Sequence, residues 1–142
     1  MSSLDSAVSQ YIFRQPLNWQ CVLSDIHELI LLEDTSVFPC VELMMGKEMI
    51  VYKCNGMMKY ALVGLKNFMS LHVLVMYGSP VLFAKYNLLL SHLKFQKSCI
   101  HFNSAEQMPL DIVKNLISDC AGINLNQIRA DYLASKKLKL KT

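Results

Sequence analysis

The dipeptide Asn55-Gly56 constrains the fold of this chain more than any other feature of its sequence. Two runs of apolar and β-favouring residues flank it, MIVYKC at 49–54 and MMKYALVGL at 57–65. A two-residue type I′ turn requires positive φ at both central positions, and Asn followed by Gly adopts that geometry at the least steric cost. The sequence therefore predicts a β-hairpin. Its predicted cross-strand pairs are Cys54–Met57, Tyr52–Lys59 and Ile50–Ala61.

Further strands are predicted on both sides of this hairpin. After a turn at 66–68, the run MSLHVLVM at 69–76 places alternate residues on opposite faces, which makes a meander of three consecutive antiparallel strands. The segment CVELMM before the hairpin and the alternating segment SCIHFN at 98–103 read as additional strands. We expect an antiparallel sheet of four to five strands, with the meander at its centre, formed from residues 41–77 and 98–103.

Helical periodicity accounts for most of the remaining chain. Apolar residues recur at helical spacing over 4–33, which is divided by Pro16, and again over 80–93 and 109–137. Ser79 followed by Pro80 is a helix start, with the serine as N-cap and the proline at the first helical position. The sequence predicts an α+β fold in one domain of residues 1–142, with the helices packed mainly on one face of the sheet.

Composition bounds the cellular setting and the classes of partner. The apolar runs are interrupted and fall well short of the roughly 20 residues that a membrane span requires, so no membrane contact is expected. The first ten residues have neither the basic nor the apolar region of a secretory signal. Five scattered cysteines without a C-x-x-C motif favour reduced thiols and a cytoplasmic location. The net charge of +3 is mild, so nucleic acid is not expected as a partner.

The order of these segments over residues 43–118 resembles the YdhG-like family of domains of unknown function. Five pieces carry the resemblance: LMMG before the hairpin, LKNFMSLHV, SPVLFAKYNLLLSHL, FQKSCIHF and EQMPLDIVKNLISD. The chain departs from the family pattern in two places. No proline follows Gly46, where the family has G-x-P, and His101 stands where the family often has arginine.

The resemblance implies an α+β fold with an antiparallel sheet, which has been compared with that of frataxin. It also implies that an iron-chaperone function is an alternative, because some members are proposed to be intracellular iron chaperones. Most members of the family have no established activity. The resemblance therefore predicts a fold and leaves the ligand open.

Three polar residues match recurring positions of the family, namely Lys66, His72 and Lys97. If they converge near Ser79, where the predicted helix begins, they form a binding site for a small anion, because the N–H groups of a first helical turn favour negative charge. A structural role also accounts for Lys66 and Lys97, since charges at strand ends discourage edge-to-edge aggregation. Both readings stay open at the level of sequence.

Metal and cofactor sites are not expected. An iron site needs several exposed carboxylates on one surface, and the best acidic cluster, Glu28, Glu33 and Asp34, is explained as ordinary charge at the end of a helix. Cys99 and His101 share one strand face, but a structural zinc site requires four ligands and no second pair has suitable spacing. We therefore assign no metal ligand, cofactor or catalytic residue.

Enzyme motifs are missing from the sequence. It contains no G-x-S-x-G, no Walker loop and no G-x-G-x-x-G, and its five glycines are scattered. The sequence thus predicts a non-catalytic binding or accessory protein of unknown partner. Two alternatives remain at this point: a frataxin-like metal chaperone, and an interaction module that forms a homodimer through its apolar sheet.

Overall fold

A computed structural model of the protein describes residues 3–96, 98–124, 127 and 133–134. The α-helices of this part of the chain are α1 (Ser3–Phe13), α2 (Leu17–Glu33), α3 (Pro80–Leu89) and α4 (Leu110–Ala121). Its strands are β1 (Phe38–Met44), β2 (Lys47–Cys54), β3 (Met57–Gly64), β4 (Met69–Val73), β5 (Lys94–Gln96) and β6 (Cys99–Phe102). Short 3-10 helices cover Leu74–Gly78 and Ala105–Gln107. None of the helices in these ranges is both long enough and apolar enough to cross a lipid bilayer.

The strands form one sheet in the order β1-β2-β3-β4-β6-β5, and every pair of neighbours is antiparallel. The predicted α+β fold with a central meander is confirmed. The sheet has six strands among the described residues, one more than expected, because α3 ends at Leu89 and does not continue to residue 93. The chain turns after Leu90, and residues 94–96 pair with β6 as an edge strand.

The Asn-Gly turn is confirmed, but the hairpin contains a β-bulge. Asn55 and Gly56 have φ values of 52° and 79°, and Cys54 pairs with Met57 as predicted. The next predicted pairs are wrong. The observed pairs beyond the irregularity are Lys53–Met58, Tyr52–Tyr60, Val51–Ala61 and Ile50–Leu62. Lys59 has no partner on β2, so β3 holds one residue more than β2 over this stretch.

The strand at the end of the meander is shorter than predicted. It ends at Val73, and residues 74–76, which were expected to continue it, belong to a 3-10 helix, Leu74–Gly78, that leads into α3. The predicted start of α3 is confirmed, because Ser79 Oγ accepts a hydrogen bond of 3.4 Å from Leu82 N–H and Pro80 is the first helical residue.

The four helices pack on one face of the sheet, as predicted. The larger apolar cluster contains buried residues from all of them, including Tyr11, Ile26, Tyr86 and Leu116, together with Leu62 and other strand residues. A smaller cluster of Met49, Val51, Ala61 and Val63 lies on the opposite face, and none of the helices given above contributes to it. The sheet therefore separates two apolar regions of unequal size.

The predicted C-terminal helix is tested only in part. Gly122 follows the last residue of α4, as expected. Asn124 Oδ1 accepts a hydrogen bond of 3.2 Å from Gln127 N–H, which matches the expected capping pattern. Residues 127, 133 and 134 are helical, and the other residues of the predicted helix up to residue 137 lie outside the described residues.

The bulge places a buried ion pair at the centre of the fold. Lys59 Nζ lies 2.7 Å from Asp34 Oδ2, and the two side chains are 2% and 1% exposed. The Tyr60 hydroxyl donates to the same oxygen over 2.7 Å. Ser36 donates to Oδ1 from its backbone N–H at 3.1 Å and from its hydroxyl at 2.5 Å. Both Lys59 and Tyr60, consecutive in sequence, reach the helix side because the bulge interrupts the alternation of side chains.

Electrostatic balance at Asp34 favours its ionised form. Burial by itself raises the pKa of this carboxyl, but the hydrogen bonds from Lys59, Ser36 and Tyr60 outweigh burial and hold the pKa below its ordinary value. A buried charge that loses its partner is strongly destabilising, whereas removing both charges together is often tolerated. The stability of the fold should therefore depend on the pair and not on either residue alone.

Urea denaturation of two variants tests this dependence. Asp34→Asn leaves Lys59 charged and buried without its counter-ion, and we expect it to lower the free energy of unfolding by about 3–5 kcal/mol. Adding Lys59→Met to the same variant should restore much of that loss. The control is Glu42→Gln, which removes the partly exposed pair with Lys53 and should cost about 1 kcal/mol or less. A double variant no more stable than Asp34→Asn would contradict this account.

The same pair predicts a dependence of stability on pH. Because the folded pKa of Asp34 lies below its unfolded value of about 3.9, ionisation of Asp34 stabilises the folded state above that pH. This stabilisation is lost as the pH falls through the folded pKa. In acid denaturation followed by circular dichroism, the Asp34→Asn, Lys59→Met variant should therefore lose less stability than the wild type over this range.

Candidate functional site

A pocket of about 390 Å³ opens where β5 and β6 meet the turn between β3 and β4. This volume lies within the range of small-ligand pockets, which is roughly 300–1,000 Å³. Its lining consists of three basic side chains, two aromatic rings, three amides and one leucine: His92, Lys94, His101, Phe68, Phe102, Gln96, Asn103, Gln107 and Leu93. No carboxylate is among these lining residues. We refer to this site as the edge pocket.

Strand pairing and ring stacking position the central side chain of the edge pocket. Lys94 on β5 pairs directly with His101 on β6, so the two side chains leave the same face of the sheet. The Phe68 ring, in the turn before β4, stacks on the His101 imidazole with a centroid distance of 4.5 Å and an interplanar angle of 32°. The imidazole is thereby held between an aromatic ring and a lysine.

A hydrogen-bonded loop closes one end of the pocket. Asn103 N–H donates to Gln107 Oε1 over 2.6 Å, and His92 Nε2 lies 2.7 Å from the Gln107 carbonyl oxygen, to which it donates. Trp19 of α2 donates from Nε1 to the Asn103 carbonyl over 3.1 Å. These hydrogen bonds hold the loop at 103–107 in place, because they link it internally, to His92 after α3 and to Trp19 in α2. The loop therefore forms an ordered wall of the pocket.

The surroundings of His101 in the pocket disfavour its protonated form. Burial lowers the pKa of His101, and the nearby positive charge of Lys94 lowers it further. His72, on the neighbouring strand, also has a lowered pKa, mainly through burial and in addition through His101. A negatively charged ligand beside Lys94 and His101 would reverse this balance and favour the imidazolium form.

Three of the four predicted anion-site residues, Lys66, His72 and Ser79, lie in the described part of the chain, at different places along β4 and beyond it. Lys66 is exposed in the turn before β4, whereas Ser79 follows the 3-10 helix beyond the other end of that strand. The five residues of β4, roughly 13 Å of extended chain, and the 3-10 helix lie between them along the chain. His72 lies in β4 on the face away from the helices, opposite Ala61 and Cys99. Lys97 lies outside the described residues.

The predicted sharing of a face by Cys99 and His101 agrees with the strand pairing. Their partners on β4, His72 and Ser70, point to the same side, and Ser70 Oγ is buried without a hydrogen-bond partner among the described residues. Within the described ranges, no three His, Cys, Asp or Glu side chains are arranged to hold a metal ion. The acidic cluster on α2 is also divided, because Asp34 is buried with Lys59 while Glu33 lies 3.9 Å from Lys114.

Sequence reasoning missed the residues that line the edge pocket most directly. His92 and Leu93 were assigned to a helix, and Lys94 to the connection that follows it. A signal was nevertheless present, because KFQ and SCIHF flank residue 97 as two short alternating segments, which is the pattern of a tight hairpin. Pairing them would have placed Lys94 beside His101.

Comparisons with known proteins provide no functional assignment for this site. No protein-family model, no curated protein and no solved structure matches the chain. The functional interpretation therefore depends on the geometry and chemistry of the residues described above.

The pKa of His101, measured by NMR titration of its ring protons, tests the electrostatics of the pocket. Phe68→Ala should raise this pKa toward the ordinary value of about 6.5 by admitting water to the imidazole. Lys94→Met should raise it as well by removing a like charge. Lys47→Met, at an exposed lysine of β2 far along the sheet, is the control and should leave the pKa unchanged. An unchanged pKa in both pocket variants would contradict the assigned causes.

Proposed function

We propose that this chain is a non-catalytic binding domain that holds a small anion, such as a phosphate or carboxylate group, in the edge pocket. The observation that carries the proposal is the composition of the pocket wall. Lys94 supplies a positive charge and His101 an imidazole N–H, and no carboxylate among the lining residues opposes them. Charge-assisted hydrogen bonds of this kind are roughly twice as strong as neutral ones.

The remaining lining residues suit an anion that is attached to a larger organic group. The side-chain amides of Gln96 and Asn103 offer further donors at the rim. The partly exposed ring of Phe68 provides apolar surface on which the uncharged part of a ligand can pack. This site differs from the one expected from the sequence, because it uses the β5–β6 hairpin and not the N-terminus of α3.

Proton uptake should accompany binding. Since His101 in the unliganded pocket has a pKa below its ordinary value, the imidazole is neutral near neutral pH. An anion stabilises the protonated ring, so the pKa of His101 is higher in the complex than in the unliganded protein. By linkage, affinity should rise as the pH falls and should level off below the pKa of the unliganded protein.

We also propose that the chain belongs to the YdhG-like family and acts in the cytoplasm. The order of a first strand, an Asn-Gly hairpin, a helix and a strand with His101 supports the kinship. All five cysteines lie in the described part of the chain and form no disulfide, which supports a reducing compartment. Of the two alternatives, a metal chaperone is testable by calorimetric titration with Fe²⁺, and a homodimer by sedimentation at two protein concentrations.

Sulfate titration followed by amide NMR tests the proposed function, because sulfate resembles a phosphate group but keeps the same charge at both pH values, whereas inorganic phosphate changes its own charge between them. We expect shifts at residues 92–96 and 101–107, with tighter binding at about pH 6 than at about pH 8. Replacing Lys94 by Met and His101 by Gln together should weaken binding by about tenfold, or roughly 1.4 kcal/mol.

One control variant and two possible outcomes distinguish binding in the edge pocket from binding elsewhere. Lys47→Met removes one positive charge outside the pocket and should leave the affinity within about twofold of the wild type. Shifts at residues 79–82 without shifts at 92–96 would favour the helix N-terminus and overturn the edge pocket. Equal affinity at both pH values would remove His101 from the site.

A further inference from the structure

A second concave surface lies on the outer side of the helical layer, between α2 and α4. It has a volume of about 420 Å³ and is lined by Asp25, Glu28, Leu29, Leu32, Leu110, Asp111 and Lys114. The four residues from α2 have the spacing i, i+3, i+4 and i+7, so they form one continuous stripe on that helix. We refer to this surface as the α2–α4 groove.

The floor of the groove is apolar and open to solvent. Leu32 is 72% exposed and Leu110 is 37% exposed, and Leu29 is half-buried between them and the core. Leucines that are exposed together along a helix pair, and not singly, form the kind of surface that a partner covers. Burial of such side chains contributes about 25 cal/mol per Å² of apolar area removed from water.

The rim of the groove is acidic, although the whole chain is basic. Asp25, Glu28 and Asp111 border the leucines, and none of these three carboxylates forms an ion pair with another described residue. The one lysine of the lining, Lys114, lies 3.9 Å from Glu33 and is therefore offset by that carboxylate. The rim thus carries a negative charge within a chain whose net charge is +3.

We propose that the α2–α4 groove docks an amphipathic helix of a partner protein, with leucine-like side chains on one stripe and lysine or arginine beside them. A third helix laid along two packed helices buries its apolar stripe in the groove between them. The acidic rim pairs with the basic residues of the partner and repels nucleic acid and anionic lipid surfaces. This proposal concerns a different surface from the edge pocket and does not depend on it.

The lysine-rich end of this chain is a poorer match for the groove. Its leucines, Leu138 and Leu140, are two residues apart in the sequence KKLKLKT. Residues two apart do not share a helical face, so this segment lacks the stripe that the groove would accept. A partner with leucines three and four residues apart fits both the floor and the rim.

Fluorescence anisotropy with a labelled probe peptide tests the proposal on the full chain. The probe is a helical peptide of leucine and lysine of about fourteen residues, or roughly four turns. We expect its affinity to fall by about tenfold when Asp25→Asn, Glu28→Gln and Asp111→Asn are combined, and by a similar factor for Leu32→Ser. Amide shifts on binding should fall within 25–32 and 110–114.

Control substitutions outside the groove distinguish binding in the groove from non-specific electrostatic or hydrophobic binding of the probe. Leu43 on β1 is 69% exposed, close to the exposure of Leu32, and Leu43→Ser should leave the affinity unchanged. Glu106→Gln removes an exposed carboxylate elsewhere and should also have no effect. All the substituted side chains are exposed, and circular dichroism melting checks that each variant is folded.

Three results would overturn the proposal. The first is equal affinity of the wild type, the triple variant and Leu32→Ser. The second is equally tight binding of a probe in which every lysine is replaced by glutamate. The third is a tenfold or so gain in probe affinity on deletion of residues 135–142, which would identify the chain's own basic end as the occupant of the groove.

Discussion

The ion pair between Lys59 and Asp34 is the interaction on which the assembly of helices and sheet depends. Lys59 lies on the third strand of a six-stranded sheet and Asp34 directly follows the longest described helix, so the pair joins the two layers near their centre. Burying both charges carries a desolvation cost of several kcal/mol per ion. Hydrogen bonds from Tyr60 and Ser36 to the same carboxylate offset part of it.

A thiol from the second long helix completes the surroundings of the pair. Burial raises the pKa of Cys120 to about 12, with a smaller opposing effect of Lys59 and smaller raising effects of Asp119 and Asp34. Cys120 is therefore an uncharged thiol that adds no second negative charge beside Asp34. The buried charges at the centre of the fold are therefore the Asp34 carboxylate and the Lys59 ammonium group, which balance each other.

The sequence predicted the meander because its two determinants are local. Asn55-Gly56 specifies the turn by backbone φ alone, and the flanking runs have β propensity over their full lengths. The bulge at Lys59 could not be found in this way. A period of two assigns Lys59 and Tyr60 to opposite faces, while the distant Asp34 brings both to the same side. Only the tertiary contact decides between a continuous register and one shifted by a residue.

The predicted anion site and the edge pocket are formed by different residues. Basic residues around the last strands suggested an anion site, and the edge pocket also has basic residues in its lining, Lys94 and His101 among them. The expected position near Ser79 depended on a strand running to residue 77, whereas the chain bends into a 3-10 helix after Val73 and carries the start of α3 away from Lys66. The edge strand 94–96 is too short to show periodicity by itself. Only considering it together with the alternating segment after residue 97 would have indicated a hairpin that pairs Lys94 with His101.

Although the net charge of the chain is mild, it has two surfaces of opposite charge, the basic edge pocket and the acidic α2–α4 groove. Helix α2 contributes to both. Trp19, near the start of α2, holds the wall of the basic edge pocket through its hydrogen bond to Asn103. Asp25 and Glu28, in the middle of the same helix, form the rim of the acidic groove, and Asp34 anchors its end to the sheet. Coupling between two sites requires an element with two alternative arrangements. A helix held at its beginning by an indole and at its end by a buried ion pair has one arrangement in this structure. We therefore expect a small anion and a basic partner helix to bind independently, each attracted by a local field that the opposite surface does not cancel.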